Sequence, residues 1–400
     1  MKHIIRYKHF ILVFLIVINI MIIALNAGCW SRRELDHLAI VSGIGIDFND
    51  DVSNSPQVRL TAEIIRPQGG KQNSGSGGSN SSEKAFLNLQ STGKSVFDAL
   101  RNFTLESSRR LYISHNELLV FGYDVAKDGV RDYLDFFTRD YETRRNTWVI
   151  ISRNKASDIF AANEGLENVT ARKISRIIET AEATSQIAEV DLQEFLQRML
   201  SKSRAPVAPI MDVTQEEGKN KKVFVSGTAV FNRDRLVGEL DRRETRGLLW
   251  VTGEVRSGIV TVDCPGNEGK ISIEILGSES KITPQVNEDN IVMNVSIRAE
   301  GNIGGQMCSE SLASNQAMKI VEQEFSNAIK QEVFAALQKA RELNADIFGF
   351  GDVIYKKDNS IWKAGLDREW QDYFNAVEVN VIPETKILRT GLITKTPKPE

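Results

Sequence analysis

The chain has 400 residues, of which 41% are hydrophobic and 26% charged, with 28 glycines, 9 prolines and a formal net charge of −3. That length predicts two or three domains, and the composition is that of a globular body able to bury about three quarters of its unfolded surface without disulfide staples. A disordered chain, a collagen-like chain and a multi-span membrane protein are excluded, the last because there is only one long apolar run, and the negative balance argues against nucleic acid as a partner.

Lys2, Arg6 and Lys8 precede an apolar run at 10–25, interrupted only by Asn19. A basic region, an apolar stretch and small residues after it make a secretory signal. The run is 16 residues long, short of the roughly 20 that span a bilayer core as a helix. Two readings stand: a signal cleaved before Cys29, or an uncleaved anchor. The residues Leu25-Asn26-Ala27-Gly28-Cys29 resemble the lipobox of bacterial lipoproteins, where small residues let the peptidase grip the backbone before a Cys that receives a diacylglyceryl group. Asn26 departs from that pattern, which prefers Leu at its position. Cys29 is therefore the expected lipidation site, with 1–28 as a lipoprotein signal peptide. Two or more acyl chains anchor a protein stably. Cleavage would remove three cations and no acid, so no basic patch would assist the lipid.

Segment 38–46 is β-branched and strand-like, and 58–65 is a second strand ended by Pro67. The Gly-, Ser- and Asn-rich stretch 68–82 reads as a solvated loop, after which Phe86, Leu87 and Leu89 resume a strand. Thr92 opens a helix whose Val96, Leu100 and Phe103 share one face. A strand at 111–121 follows, then a helix carrying Val130, Leu134 and Phe137, then a strand at 148–151. Residues 167–200 read as helical. Pro206 and Pro209 mark a boundary, beyond which short strands run between 207 and 240.

A third region opens at Ser257, with strands near 259–262, 271–276 and 291–297. A long helix at 314–344 carries Met318, Val321, Phe325, Ile329 and Leu337 at helical spacing. Its heptad is not sustained, so it reads as a helix laid across its own sheet rather than a partner-binding coiled coil. Strands at 377–382 and 387–393 precede a polar tail. Helices and strands mix without strict alternation, which predicts an α+β fold rather than a doubly wound sheet. The expected architecture is three domains on mainly antiparallel sheets flanked by helices, at 29–190, 191–256 and 257–393, with a tail at 394–400.

Chemistry-bearing motifs are sparse. With Cys29 set aside, Cys264 and Cys308 can form one disulfide in an exported protein or stay as thiols. Only His37 and His115 lie beyond the signal, too few for a zinc cluster. Gly93-Lys94-Ser95 imitates the end of a phosphate-binding loop, but Asn88 stands where that loop needs its first Gly, so a helix start is the better account. Gly43-Ile44-Gly45 and Gly349-Phe350-Gly351 lack the third glycine of a dinucleotide fingerprint and read as tight turns or close strand packing. His115 reads as a hydrogen-bonded structural histidine inside an apolar strand. The pairs Arg32-Arg33, Arg109-Arg110, Arg144-Arg145 and Arg242-Arg243 each have a nearby acid (Glu34, Glu106, Glu142, Glu244) and read as local ion pairs. No catalytic, cofactor-binding or metal-ligating residue is expected, and the chain reads as a non-enzyme.

Gly28-Cys29-Trp30-Ser31-Arg32-Arg33-Glu34-Leu35, followed by Gly43-Ile44-Gly45-Ile46-Asp47, resembles the start of the mature Ger(x)C family, the C subunits of bacterial spore nutrient-germinant receptors. Ser31 stands where that family more often has Asp. Further likenesses are Tyr112-Ile113-Ser114-His115, then Gly227-Thr228-Ala229-Val230-Phe231 with Leu236-Val237-Gly238. The last is Ala345-Asp346-Ile347-Phe348-Gly349-Phe350-Gly351 with Trp362. The resemblance implies a non-enzymatic lipoprotein of three α+β domains, held by diacylglyceryl-Cys29 on the outer face of the spore inner membrane. It further implies A and B receptor subunits as partners, with a scaffolding or signal-relay task, no cofactor and no nucleic acid. The rival reading is a lipoprotein that captures the small nutrient germinant itself, for which the mixed element order is a poor match to a two-lobed solute receptor.

Overall fold

The computed structural model describes residues 2–26, 37–49, 57–66, 85–162, 167–214, 221–266, 269–286, 291–308, 312 and 314–389. Cys29, the stretch 68–82 and the tail at 394–400 lie outside them. Helix α1 (Lys2–Asn26) carries the apolar run, and its large apolar side chains from Phe10 to Ile22 are exposed except Ile18, which is half-buried.

Nine strands form one sheet: β1 (Leu38–Phe48), β2 (Val58–Ile65), β3 (Phe86–Gly93), β4 (Arg110–Tyr112), β5 (Leu118–Phe121), β6 (Trp148–Ser152), β7 (Val207–Val213), β8 (Val223–Asn232) and β9 (Arg235–Leu240). Their order is β3-β2-β1-β5-β6-β7-β8-β9, with β4 beside β1. The flanks are antiparallel meanders, but the centre, β1-β5-β6-β7, is parallel. A parallel pair needs a crossover, and helices supply it. They are α2 (Val96–Asn102), α3 (Tyr123–Asp128) and α4 (Arg131–Arg139) before β6, then α5 (Ala156–Ala161), α6 (Thr170–Glu179) and α7 (Leu192–Leu200) before β7.

Such a sheet is covered on both faces. Leu118, Val120 and Ile150 pack with α5 and α6 in one core. Their alternate neighbours Leu119, Phe121, Val149 and Ile151 belong to the other, with α2, α3, α4 and α7. That second core continues without a break into the C-terminal part of the chain.

There, after α8 (Arg242–Thr252), a four-stranded sheet has the order β10-β11-β12-β13: β10 (Gly258–Asp263), β11 (Lys270–Val286), β12 (Ile291–Gln306) and β13 (Glu378–Arg389). Between β12 and β13 lie α9 (Asn315–Glu342), α10 (Phe350–Lys357), the single turn α11 (Asn359–Ile361) and α12 (Asp367–Ala376). α9 buries Val321, Phe325, Ile329, Val333, Ala336 and Ala340 against α8 and the sheet, as its spacing predicts. It is a helix laid across its own sheet.

The fold class expected from the sequence holds: mixed α and β, with mostly antiparallel sheets flanked by helices. The large sheet runs through the expected 190/191 boundary, where β6 and β7 share only the pairs Ile151↔Ile210 and Ser152↔Met211. The 256/257 boundary falls between α8 and β10.

Two strands differ from expectation. The strand at 111–121 is split by a 3₁₀ turn at Ile113–His115, because β4 pairs with β1 up to Ile40 while β5 resumes at Gly43, and the surplus chain must loop out. The two strands expected at 377–382 and 387–393 are one. Pro383 is tolerated inside β13 because that strand is an edge, with one row of backbone groups unpaired; residues 390–393 lie outside the described set.

Candidate functional site

Several residues singled out by sequence resolve into packing. Ser95 Oγ accepts a hydrogen bond from Asp98 N at 3.2 Å as the N-cap of α2, and a Cβ on Gly93 would come within 2.3 Å of Ala99 N. Gly93-Lys94-Ser95 is thus a helix start. A Cβ on Gly43 would lie 2.4 Å from the Phe160 ring of α5, so β1 and α5 approach closely through a missing side chain. Cys264 and Cys308 form a disulfide, with Cα atoms 5.8 Å apart. It links the chain just after β10 to the chain just after β12.

His115 is not inside an apolar strand, contrary to expectation. It ends the 3₁₀ turn, exposed, and meets Tyr112 edge-on at 5.7 Å rather than through a hydrogen bond. It borders a polar cleft of about 520 Å³ with Glu117, Arg144, Arg172 and Glu179. Of the arginine pairs, Arg110 meets Glu142 at 3.6 Å. Arg242 and Arg243 instead donate to Val225 O at 2.8 Å and Gln331 Oε1 at 3.3 Å. Arg32 and Arg33 lie outside the described residues.

The fully buried carboxylates are the groups a search for catalysis would stop at. Asp47 on β1 accepts from Ala156 N at 2.7 Å and Ser157 N at 3.0 Å, where α5 begins. Glu63 on β2 accepts from Thr170 N at 2.9 Å, Ala171 N at 2.8 Å and Ser42 Oγ at 2.9 Å, where α6 begins. Asp346 accepts from Gly349 N at 2.8 Å, Phe350 N at 3.1 Å, Gly351 N at 2.9 Å and Trp370 Nε1 at 3.1 Å, where α10 begins. Each satisfies the free N–H groups of a helix N-terminus and meets its partial positive charge.

Burial pushes all three carboxyls above their ordinary range, while the N–H donors pull them back down. Asp346 reaches about 6. Ringed by donors and shut from solvent, these groups are fixed acceptors: Asp47 and Glu63 hold helices to strands, and Asp346 ties the start of α10 to Trp370 of α12. The same ring explains Gly349-Phe350-Gly351. Gly349 sits at φ +76°, and a Cβ on Gly351 would strike Ser203 at 2.4 Å.

A second buried polar unit joins α8 to α9. The Arg246 guanidinium makes a fork to Glu332, with Nε 2.8 Å from Oε2 and Nη2 on Oε1. Trp250 Nε1 donates to the same carboxylate at 2.8 Å, and Arg246 Nη1 donates to Ile259 O at 2.9 Å. The helices come close because residue 247 is glycine: a Cβ there would meet Glu332 O at 2.0 Å. α8 itself escaped the sequence reading, although Asp241 and Glu244 form the capping box that announces it.

The surface feature with the chemistry of a contact site is a groove of about 520 Å³ between α2 and α4. Its walls include Val96, Phe97, Leu100, Leu111 and Phe136. Phe97, 50% exposed, stacks on Phe136 at 5.6 Å and carries the Arg101 guanidinium 5.0 Å above its ring. Arg139 and Asp135 pair on the rim at 2.8 Å. An apolar floor with neutralised rim charges suits an apolar side chain or ring. Among the described residues, no group of three or more His, Cys, Asp or Glu side chains could hold a metal.

The family profile described as "Spore germination protein N-terminal domain" matches residues 31–213. The profile described as "Spore germination B3/ GerAC like, C-terminal" matches residues 226–391. Three Bacillus subtilis (strain 168) proteins align over almost their full lengths. Spore germination protein KC is 27% identical over 398 residues, 94% of this chain and 96% of that protein. Spore germination protein YndF is 24% identical over 386 residues, 92% of this chain and 94% of that protein. Spore germination protein B3 is 23% identical over 383 residues, 95% of this chain and 98% of that protein. The solved structure "Crystal Structure of the GerBC protein" superposes with a TM-score of 0.54 at 20% identity, over 87% of this chain and 98% of that one, and so shares the fold.

Proposed function

The chain belongs to the Ger(x)C family of spore germination proteins, and from that premise we propose that it acts in nutrient-triggered spore germination as the C subunit of a germinant receptor. Its place is the outer face of the spore inner membrane, where diacylglyceryl-Cys29 tethers the body. Its partners are the receptor's A and B subunits, and its task is to scaffold them or relay their signal rather than to catalyse a reaction. The observation that carries the reading is the match of both family domains, in order, from residue 31 to residue 391.

Two features support the finer parts. The exposed apolar helix α1, ending shortly before Gly28-Cys29, is what export and lipid attachment require. The α2–α4 groove offers a receptor subunit an apolar seat.

The test is loss of refractility after nutrient exposure, in spores lacking this protein and its sister receptors. Wild type should restore the response to particular nutrients, and Cys29→Ala should restore it poorly while leaving the membrane pellet. A normal response without the protein would sink the germination reading. A Cys29→Ala protein that stays in the pellet and functions fully would sink the lipid tether and point to an uncleaved α1.

A further inference from the structure

The two matched domains meet where the segment after α7 lies against α10. Ala205 N donates to Asp346 O at 2.8 Å, and the hydroxyls of Ser201 and Ser203 both donate to Asp352 Oδ1 at 2.8 Å. A polar cleft of about 460 Å³ opens on this seam. Three acids and three cations line it: Asp191, Glu194 and Asp352 against Arg198, Arg204 and Lys356.

The acids are already engaged. Asp191 Oδ1 accepts from Glu194 N at 2.8 Å as the N-cap of α7. Glu194 Oε1 takes Arg198 Nε at 3.0 Å and Nη2 at 2.6 Å. Asp352 holds the two serines. Arg198 also meets Glu254 Oε1 through Nη2 at 3.9 Å, so its charge is matched, and what the cations keep in reserve is N–H donors. Arg198 is only 3% exposed, yet its Nη1 has no acceptor, and neither does the buried Nε of Arg204. Lys356, exposed on the rim, forms no ion pair among the described residues.

Buried guanidinium N–H groups are normally satisfied, so two spare donors on residues that line one cleft mark the place of an acceptor that the chain does not supply. The donors are also fixed. Glu194 holds the Arg198 fork, and the Arg204 stem packs on Gly349, where a Cβ would lie 3.0 Å from Arg204 Cδ. Burial and the neighbouring Arg198 charge push the Arg204 guanidinium below its ordinary value, which an anion between them would reverse.

We propose that this cleft binds a small oxyanion, a carboxylate or a phosphate, through Arg198 Nη1, Arg204 Nε and Lys356 Nζ. Because α7 and α10 belong to different family domains, the bound anion bridges the two. The inference stands on this geometry alone and does not rest on the germination reading.

The test is calorimetric titration of the full chain in detergent with inorganic phosphate and, separately, with succinate, at ionic strength held constant with chloride. One of the two anions should give saturable heat, and which one does so identifies the group recognised. Arg204→Gln should weaken binding by about tenfold or more, the loss of a charge-assisted hydrogen bond. Lys356→Gln should weaken it less, and Lys202→Gln, exposed and outside the cleft, should leave it unchanged. If Arg204→Gln fails to fold, Lys356→Gln on the rim decides. No saturable heat from either anion, or full affinity retained in the folded cleft variants, overturns the proposal.

Discussion

The two sheets solve the same problem differently. The large one is parallel at its centre and buried on both faces, so that β5 is buried at every residue and β6 at all but its first. The small one is covered on one face only by α8 and α9. Its strands alternate, as in β10, where Gly258, Val260 and Val262 are buried while Ile259, Thr261 and Asp263 are exposed. A two-sided sheet is held by packing from above and below. A one-sided sheet has half that contact, and here specific latches accompany it: the Cys264–Cys308 disulfide, the Arg246–Glu332 fork and the Asp346 ring. The large sheet has polar latches of its own in Asp47 and Glu63, but they are backed by packing on both faces. The lesson is that the C-terminal part should be the more sensitive to loss of a polar partner, and the N-terminal part the more sensitive to changes of volume.

The strongest challenge to that contrast is Glu332→Ala. It leaves Arg246 charged, buried and without its fork, which should cost about 3–5 kcal/mol, read from denaturant unfolding of the full chain. Arg246→Met with Glu332→Leu should recover most of the loss, since the apolar pair has no desolvation penalty. A cost below about 1 kcal/mol would mean that packing alone holds α8 to α9.

Asp346→Asn comes next, because the amide turns a donor toward donors and should cost roughly 3 kcal/mol. It also carries a pH signature. The Asp346 carboxyl ionises near 3.8 in the unfolded chain and near 6 in the folded one. Between those values the folded state keeps a proton that the unfolded state has released. Its contribution is therefore full below pH 3.8 and lost as pH rises through 6, a change of about 3 kcal/mol. Asp346→Asn should flatten that slope. An unchanged slope would assign the pH dependence to other groups, with Asp47 and Glu63 the next candidates, since burial raises both.

These latches mark the limit of what the sequence discloses. Strand periodicity, the long helix α9 and the α+β class are legible because they depend on residues a few positions apart. The parallel centre is not, since β1 meets β5 only after the β2–β3 hairpin and α2 have intervened, and no local spacing encodes that pairing. The Arg246–Glu332 fork joins residues 86 positions apart, so neither residue announces the other. Asp346 lies in a run that the family resemblance singles out, but no local spacing marks it as an acceptor, because the N-cap of α10 is Gly349 and Asp346 reaches its amides from three residues before. In the α2–α4 groove, Val96 and Leu100 were legible as part of one helix face. Phe97 was not, because its partner Phe136 comes from α4.

The smaller effects test the volume half of the contrast with a matched pair of glycines. Gly43 lies on β1, where a Cβ would sit 2.4 Å from Phe160 Cε1 and 3.1 Å from Ala171 Cβ. Phe160 is fully buried and has nowhere to turn. Gly43→Ala should therefore cost about 1–3 kcal/mol, and adding Phe160→Leu should return part of it, so that the double variant is less damaged than the sum of the singles. Gly277 lies on β11, with nothing within 4 Å of where its Cβ would stand. Gly277→Ala should be neutral or stabilise by up to about 1 kcal/mol, because alanine narrows the unfolded ensemble without meeting a neighbour. Both changes add one methyl group to a strand glycine, so propensity cancels between them and only the covering layer differs. Equal effects would mean that α5 yields as freely as open solvent, and that the two sheets are held by the same means after all.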